Sequence, residues 1–328
     1  MAESLDIREL NQLIEQQSAF ITNLTTGMNR VIVGQKHLID SLLISLLSDG
    51  HILLEGVPGL AKTLAIKTLA QLVDADYSRI QFTPDLLPSD ITGVTMYDQS
   101  KSQWEFHKGP IFASIVLADE INRASPKTQS ALLEVMEEAM VTVDGVRHPA
   151  GRPFMVIATQ NPIEQAGTYK LPEAQLDRFL MKTSVGYPDR AAASQILLGA
   201  AQPDRSKSLT AVISQQAVSE MSDLVKDNYI DPTVIDYIQD LAEATRQDKD
   251  TTIGVSTRGA IAMVRAVRVW AAAHGRNFVM PDDVKDLAAP VWTHRVIMSP
   301  TAEFAGSNAS RVITRALDSV VAPANRAG

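Results

Sequence analysis

The sequence predicts an α/β core with a largely parallel sheet over residues 1–188, then an all-α domain over residues 189–328. Three observations carry this reading. Short apolar runs alternate with helical stretches from residue 51 to about residue 188. The strand signal stops at Tyr187-Pro188-Asp189, and apolar residues beyond that point recur with helical period. The length of 328 residues is also that of about two ordinary domains.

Taken in order, Met1 to Phe20 spaces its apolar residues among Glu3, Asp6, Arg8, Glu9 and Glu15, an amphipathic helix rather than a secretory leader. The most apolar stretch, Ser41 to Leu47, falls well short of the ~18 residues a membrane span requires, so a cytoplasmic protein is expected. Candidate strands are His51–Glu55, Ser78–Phe82, Ser114–Asp119, Phe154–Asn161 and Phe179–Val185, with helices such as Thr63–Val73 and Thr128–Ala139 between them. Two hairpins interrupt the alternation. Gly93–Tyr97 and Gln103–His107 flank Asp98-Gln99-Ser100-Lys101, and Val141–Val143 and Val146–His148 flank Asp144-Gly145, a type I′ turn signal. Beyond residue 188, helices are expected at Arg190–Ala201, Ser214–Val225, Thr233–Gln247, Gly259–His274 and Asp282–Trp292. In the fourth, Ala260, Met263, Val264, Val267, Trp270 and Ala271 form a packing stripe, with Arg265 and Arg268 off it. Gly275 is its C-cap, and Pro281 opens the next helix.

Composition narrows the function. Lys plus Arg number 30 and Asp plus Glu 38, a net charge of −8 that argues against a nucleic-acid-coating role. The absence of cysteine removes disulfides, thiolate metal sites and Cys nucleophiles. The six histidines (His37, His51, His107, His148, His274 and His294) never pair at i,i+3 or i,i+4, which argues against zinc. No Gly-x-Ser-x-Gly elbow occurs.

The informative motif is Gly56-Val57-Pro58-Gly59-Leu60-Ala61-Lys62-Thr63, which follows one candidate strand and opens a helix. This is the P-loop context, in which backbone N–H groups wrap phosphate oxygens, Lys62 reaches the β- and γ-phosphates and the Thr63 hydroxyl ligates Mg²⁺. Ala61 stands where Gly is usual and fits if its dihedrals are already helical. Downstream, Ile115-Val116-Leu117-Ala118-Asp119-Glu120 is an apolar strand ending in two acids, the Walker B form. Burying such a pair needs a metal or hydrogen bonds. Asp119 is expected to support Mg²⁺ and Glu120 to polarise the attacking water. A third strand ends at Asn161, and Arg178 precedes the fifth.

In this order the chain resembles AAA+ ATPases. The resemblance makes Asn161 sensor 1, Arg178 the arginine finger and Arg258, in Val255-Ser256-Thr257-Arg258-Gly259, sensor 2. It assigns Ile32-Val33-Gly34-Gln35 to the adenine pocket, and Leu64 belongs with the phosphate-binding helix start. Within AAA+ the wording is closest to the MoxR family. The signatures are Leu86 to Gly93, Phe106 to Phe112, Ala118 to Ala124, Pro126 to Gln129 and Leu171 to Phe179. That family commonly carries Ala-Lys at positions 61 and 62. The resemblance implies an AAA+ αβα core with a five-stranded parallel sheet and an all-α lid, the hairpins being the helix-2 insert and the pre-sensor-1 hairpin. It further implies ATP and Mg²⁺ as cofactors and a homo-oligomer, a hexameric ring, with hydrolysis between subunits. The implied role is chaperone-like maturation of a client protein, alongside a von Willebrand factor A domain protein. Arg123 reads equally as a solvated helix start or an intersubunit contact. Three other readings share parts of the pattern: a magnesium chelatase ATPase subunit, an MCM-like nucleic-acid motor and a non-hydrolysing nucleotide-gated scaffold. Intact Glu120, Asn161 and Arg178 argue against the last.

Overall fold

A computed structural model describes residues 7–56, 62–161, 168–199 and 209–324. Val57, Pro58, Gly59, Leu60 and Ala61 of the phosphate-loop motif lie outside the described residues, as do residues 200–201 of the first expected lid helix.

Two helices, α1 (Ile7–Val31) and α2 (Lys36–Leu47), precede strand β1 (Ile52–Glu55) and helix α3 (Lys62–Leu72). Then come β2 (Tyr77–Gln81), the short α4 (Pro88–Thr92), the hairpin β3 (Gly93–Asp98) and β4 (Gln103–Lys108), and β5 (Ile115–Asp119). Helix α5 (Pro126–Glu138) leads to the second hairpin, β6 (Met140–Val143) and β7 (Val146–Pro149), then β8 (Met155–Gln160), α6 (Glu173–Leu176) and β9 (Met181–Ser184). The lid holds α7 (Arg190–Gly199), α8 (Gln215–Val225), α9 (Pro232–Gln247), β10 (Thr251–Ile253), α10 (Thr257–Ala273), α11 (Pro281–Trp292), β11 (Ile297–Met298), α12 (Pro300–Phe304) and α13 (Ala309–Ser319).

The five core strands form one parallel sheet in the order β2-β5-β8-β1-β9. Their alternation builds the layers. Ile52, Leu54, Ile115, Leu117, Met155 and Ile157 face one apolar cluster, whereas Leu53, Val116, Ala118, Val156 and Ala158 face the other. Strands apolar on both faces must be covered on both, which gives the αβα sandwich. The first cluster continues through α1 and α2 into lid helices α10 and α11, so core and lid share apolar packing.

Local signals explain the boundaries. Ser125 caps α5, its hydroxyl accepting the Thr128 N–H at 3.4 Å, with Pro126 at the first helical position. Asp144 and Gly145 take φ of 50° and 79°, the positive pair a type I′ turn requires. The hairpins meet where His148 stacks on Phe106 with centroids 4.2 Å apart.

Four details differ from expectation. The lid is not purely helical, because β10 and β11 pair antiparallel through Thr251 with Met298 and Ile253 with Ile297. Strands of three and two residues are too short to show a period. On α10, Met263, Val267 and Ala271 of the expected stripe are buried and Ala260, Val264 and Trp270 pack partly buried against the same cluster, but the buried face is wider and takes in Gly259, Ala262, Ala266, Val269 and Ala272. The small residues allow close helix packing, which widens the face beyond the bulky positions. Arg265, placed off the stripe, reaches back to the core and donates to the carbonyls of Ser48 and, at 2.8 Å, Asp49. The N-terminal helix also runs on past Phe20 to Val31.

The start of β9 is fixed from the lid. Arg295, whose side chain is 2% exposed, pairs with the Asp177 carboxylate and donates to the carbonyls of Asp177 at 3.0 Å, Phe179 at 2.6 Å and Leu180 at 3.3 Å. His294 Nε2 lies 3.0 Å from the Phe179 carbonyl. Across the sheet, His51 Nε2 lies 2.9 Å from the Met136 carbonyl, and Nδ1 accepts the Val156 N–H at 3.0 Å. Burial pulls His51 down to about 4 and His294 to about 3.

Below the ordinary value of 6.5, the unfolded chain binds protons that the buried rings refuse, so stability is full above pH 6.5 and falls as the pH drops towards 4. A His51→Gln variant can keep both hydrogen bonds. It should lose about 2 kcal/mol less than the parent between pH 7 and pH 5. Thermal or urea unfolding across that range measures this, and equal slopes would show that His51 does not set the acid response.

Candidate functional site

All five strand ends emerge at one edge of the sheet, where the register pairs Gln81 with Asp119 and Glu55 with both Gln160 and Ser184, Ala118 pairing with Ala158 between the two sets. Gly56 leaves β1 at φ 152°, and a Cβ there would lie 2.6 Å from the Val185 carbonyl oxygen, so this backbone passage is open to glycine alone. Lys62 opens α3 and turns back to donate to the Gly56 carbonyl at 2.5 Å. Burial lowers its pKa, while Asp119, Glu120 and Glu55 push the other way. Thr63 follows on the first turn, and Leu64 is exposed beside it.

The acids are held by neighbours. Thr159 Oγ1 donates to Asp119 Oδ1 at 2.6 Å and accepts the Glu120 N–H at 2.9 Å, so one hydroxyl fixes both residues. Arg79 donates to Asp119 Oδ2 at 2.7 Å. Glu120 sits in the left-handed region at φ 57°, a conformation that costs a non-glycine residue about 1–3 kcal/mol. Its Oε2 accepts from Gln81 Nε2 at 3.0 Å and Arg123 Nη1 at 2.9 Å. Arg123, open between two roles in the sequence, therefore pairs with the acid of its own chain. Asn161 follows β8, between β5 and β1, and its carbonyl accepts from Asn122 Nδ2 at 3.4 Å.

The Val33-Gly34 segment is brought to the same edge. Gly34 takes φ 73°, and a Cβ there would lie 2.5 Å from that of Ala192. Gln35 Nε2 donates to the Gly186 carbonyl at 2.9 Å, just past the Val185 that backs Gly56. Val33, Gly34, Gly56, Lys62, Thr63, Asp119, Glu120 and Asn161 thus gather around the strand ends.

Arg178 and Arg258 do not join them. Arg178 precedes β9, where the Leu180 N–H donates to the His51 carbonyl at the opposite edge. Helix α5 starts behind the Asp119-Glu120 turn and runs back to that far edge, delivering Glu137. Arg178 Nη2 lies 2.9 Å from Glu137 Oε2, and Arg258 Nη2 pairs with Glu137 Oε1. The two arginines share one carboxylate.

Comparison with known proteins places this geometry. Residues 51–181 match the model of the ATPase family associated with various cellular activities, and residues 243–316 match an AAA lid domain. The chain is 40% identical over 307 residues to Chaperone MoxR1 of Mycobacterium tuberculosis, covering 90% of this chain and 80% of that one. It is 44% identical over 299 residues to the uncharacterized protein YeaC of Bacillus subtilis, covering 91% and 93%. Protein MoxR of Paracoccus denitrificans is 32% identical over 305 residues, covering 84% and 88%. The crystal structure of a Cytophaga hutchinsonii protein superposes with a TM-score of 0.91 at 39% identity, covering 98% of this chain and all of that one.

The chain belongs to the MoxR family of AAA+ ATPases.

An AAA ATPase domain binds nucleotide, and the edge carrying Gly56, Lys62 and the two acids is the candidate site for it. The donor set fits Mg²⁺ chemically. Thr63, Asp119 and Glu120 offer hard oxygens, and no cluster of three metal-ligating side chains exists among the described residues. Mg²⁺ binds through few protein oxygens and the substrate's phosphates, not an all-protein cage.

Sequence reasoning missed Thr159, Arg79, Gln81 and Glu137. A Thr directly after the apolar run Met155–Ala158, two residues before Asn161, was a usable signal. Arg79 and Gln81 alternate on β2 with buried Ile80, so they also could have been found. Glu137 gave none, since its partners lie 41 and 121 residues away.

If Thr159 is the joint that aligns Asp119 with Glu120, Thr159→Val should lower kcat roughly 10–100-fold, the range typical of supporting-shell losses. ATP affinity should stay within a few-fold. Steady-state hydrolysis and calorimetry measure the two, and an unchanged kcat would remove Thr159 from the site.

Proposed function

We propose that this protein hydrolyses Mg-ATP at sites completed by a neighbouring subunit, and uses the energy for chaperone-like maturation or assembly of a client protein. The observation that carries this is the separation of the machinery to opposite edges of the sheet. Lys62, Asp119 and Glu120 lie at one edge, and Arg178 and Arg258 at the other. β1 has four residues, so the sheet alone spans roughly 13 Å.

In this reading the Gly56–Thr63 segment and Leu64 cradle the phosphates, and Val33 and Gly34 border the base. Thr63 and Asp119 would hold Mg²⁺, which supplies charge neutralisation for the β- and γ-phosphate oxygens. Glu120 polarises the attacking water once its carboxylate is freed from Gln81 or Arg123. Asn161 meets the γ-phosphate from the strand between. Arg178 of one subunit stabilises charge developing in the next, a contribution worth ~10³–10⁵ in rate, or ~4–7 kcal/mol. Arg258, on the same carboxylate as Arg178, acts on the same neighbouring site and not on its own.

Closed hexameric rings satisfy every such interface, so a hexamer is the expected assembly. The chaperone role is supported by the name of the Mycobacterium tuberculosis relative. A von Willebrand factor A domain protein is the proposed partner and the cytoplasm the proposed compartment. Among the described residues no helix is long and apolar enough to cross a membrane.

Two measurements test the reading. Lys62→Ala should abolish ATP binding by calorimetry, and retained affinity would place the phosphate site elsewhere. Glu120→Gln and Arg178→Ala should each be inactive alone. After dissociation in high salt and reassembly with nucleotide, their mixture should hydrolyse ATP, because some interfaces combine an intact Glu120 with an intact Arg178. Arg258→Ala should complement Glu120→Gln in the same way. Silence after demonstrated subunit exchange would overturn the shared site.

A further inference from the structure

Glu137 has no role in the machinery described so far, yet it touches both arginines that machinery needs. Its Oε2 receives Arg178 at 2.9 Å and its Oε1 receives Arg258. The three side chains remain partly open, 27% for Arg178, 50% for Arg258 and 38% for Glu137, so an incoming group can reach them. Beside them lies a 240 Å³ cavity that Arg265 and Arg295 also line.

Two guanidinium groups brought together repel one another unless an anion lies between them. Two oxygens on one carboxyl carbon resemble two oxygens on one phosphorus, so a pair of arginines spaced to fit Glu137 is also spaced to fit a phosphate edge. The backbones are tied as well. The Ser256 hydroxyl caps α10 through the Gly259 N–H at 3.0 Å and donates to Asp177 Oδ2 at 3.1 Å. Asp177 immediately precedes Arg178 and is gripped by Arg295. The segments bearing Arg178 and Arg258 are therefore joined twice, at Asp177 and at Glu137.

We propose that Glu137 is a positioning residue that sets Arg178 and Arg258 as one paired receptor for the phosphate of the neighbouring subunit. This rests on the proposed intersubunit site. The carboxylate stands in for the phosphate until assembly, and then yields its place or shares it. Losing it lets the two cations separate, so the neighbour's phosphate meets one arginine in place of two.

The test uses the full-length protein with Glu137→Ala and Glu137→Gln. The alanine variant should keep its thermal midpoint and ATP affinity and lose kcat about 10–100-fold, the scale of a small misplacement of a catalytic group. The glutamine variant, which keeps the shape and loses the charge, should fall between it and the parent. The lesion should also lie on the donating side of the interface. Mixed with Glu120→Gln protein after exchange, Glu137→Ala should recover activity; mixed with Arg178→Ala it should not. Parental kcat in Glu137→Ala, rescue by neither partner, or rescue by both would each overturn the assignment. The Glu120→Gln and Arg178→Ala pair is the control. If that pair recovers while Glu137→Ala behaves as the parent, Glu137 alone is wrong. If the pair stays silent, the intersubunit site fails, and the Glu137 assignment with it.

Discussion

A parallel sheet has two chemically different edges, and most of this structure depends on that polarity. All five strands run one way and in register, so their polar ends converge at a single edge. Asp119, Thr159 and Glu55 gather there because each terminates or nearly terminates an otherwise apolar run. At that edge the backbone leaves hydrogen bonding, which is where open α/β sheets accept ligands. The same polarity sends every connection back to the far edge before a strand begins. Arg178 arrives there because it precedes β9, and Glu137 because α5 lies on the return from β5 to β8, the next strand of the sheet.

The lid is fastened to that far edge and not merely laid against it. Arg295 is almost fully buried and spends its donors on the carbonyls of Asp177, Phe179 and Leu180 and on the Asp177 carboxylate. Removing one partner of a buried pair costs about 3–5 kcal/mol, since the other charge is stranded. Apolar packing from α10 onto α1 and α2 adds to this, and so do the bonds of Arg265 to Ser48 and Asp49. A displacement of α10 therefore carries the turn bearing Arg178 with it.

Much of this was legible in the sequence because it is local or periodic. The five strands each read as apolar runs, and the structure places all five within a few residues of expectation. The Asp144-Gly145 turn announced its hairpin through two positive dihedrals. Lys62, Asp119, Glu120 and Asn161 could be placed together from the sequence because strand, loop and helix fix their order along the chain. What escaped is what only packing decides. The β10–β11 ribbon is too short for a period, and the buried face of α10 reaches past the expected stripe to Gly259, Ala262, Ala266 and Ala272. Glu137 stands beside Glu138 with no local partner in the sequence, and only folding places it between Arg178 and Arg258.

The charge pattern shows why composition misleads about this edge. The chain carries a net −8, which read alone argues against any affinity for a polyanion. Locally each acid has a basic partner, Glu55 with Lys182 at 2.8 Å, Asp119 with Arg79 at 2.7 Å and Glu120 with Arg123 at 2.9 Å. Lys62 instead donates to the neutral Gly56 carbonyl. Those pairs offset the cost of crowding three carboxylates at one strand edge. Burial makes that ammonium easier to deprotonate, the sign that it is poorly compensated where it stands. A phosphate brought to Gly56 would replace a carbonyl with an anion at the same nitrogen, a stronger, charge-assisted hydrogen bond than the one Lys62 makes now.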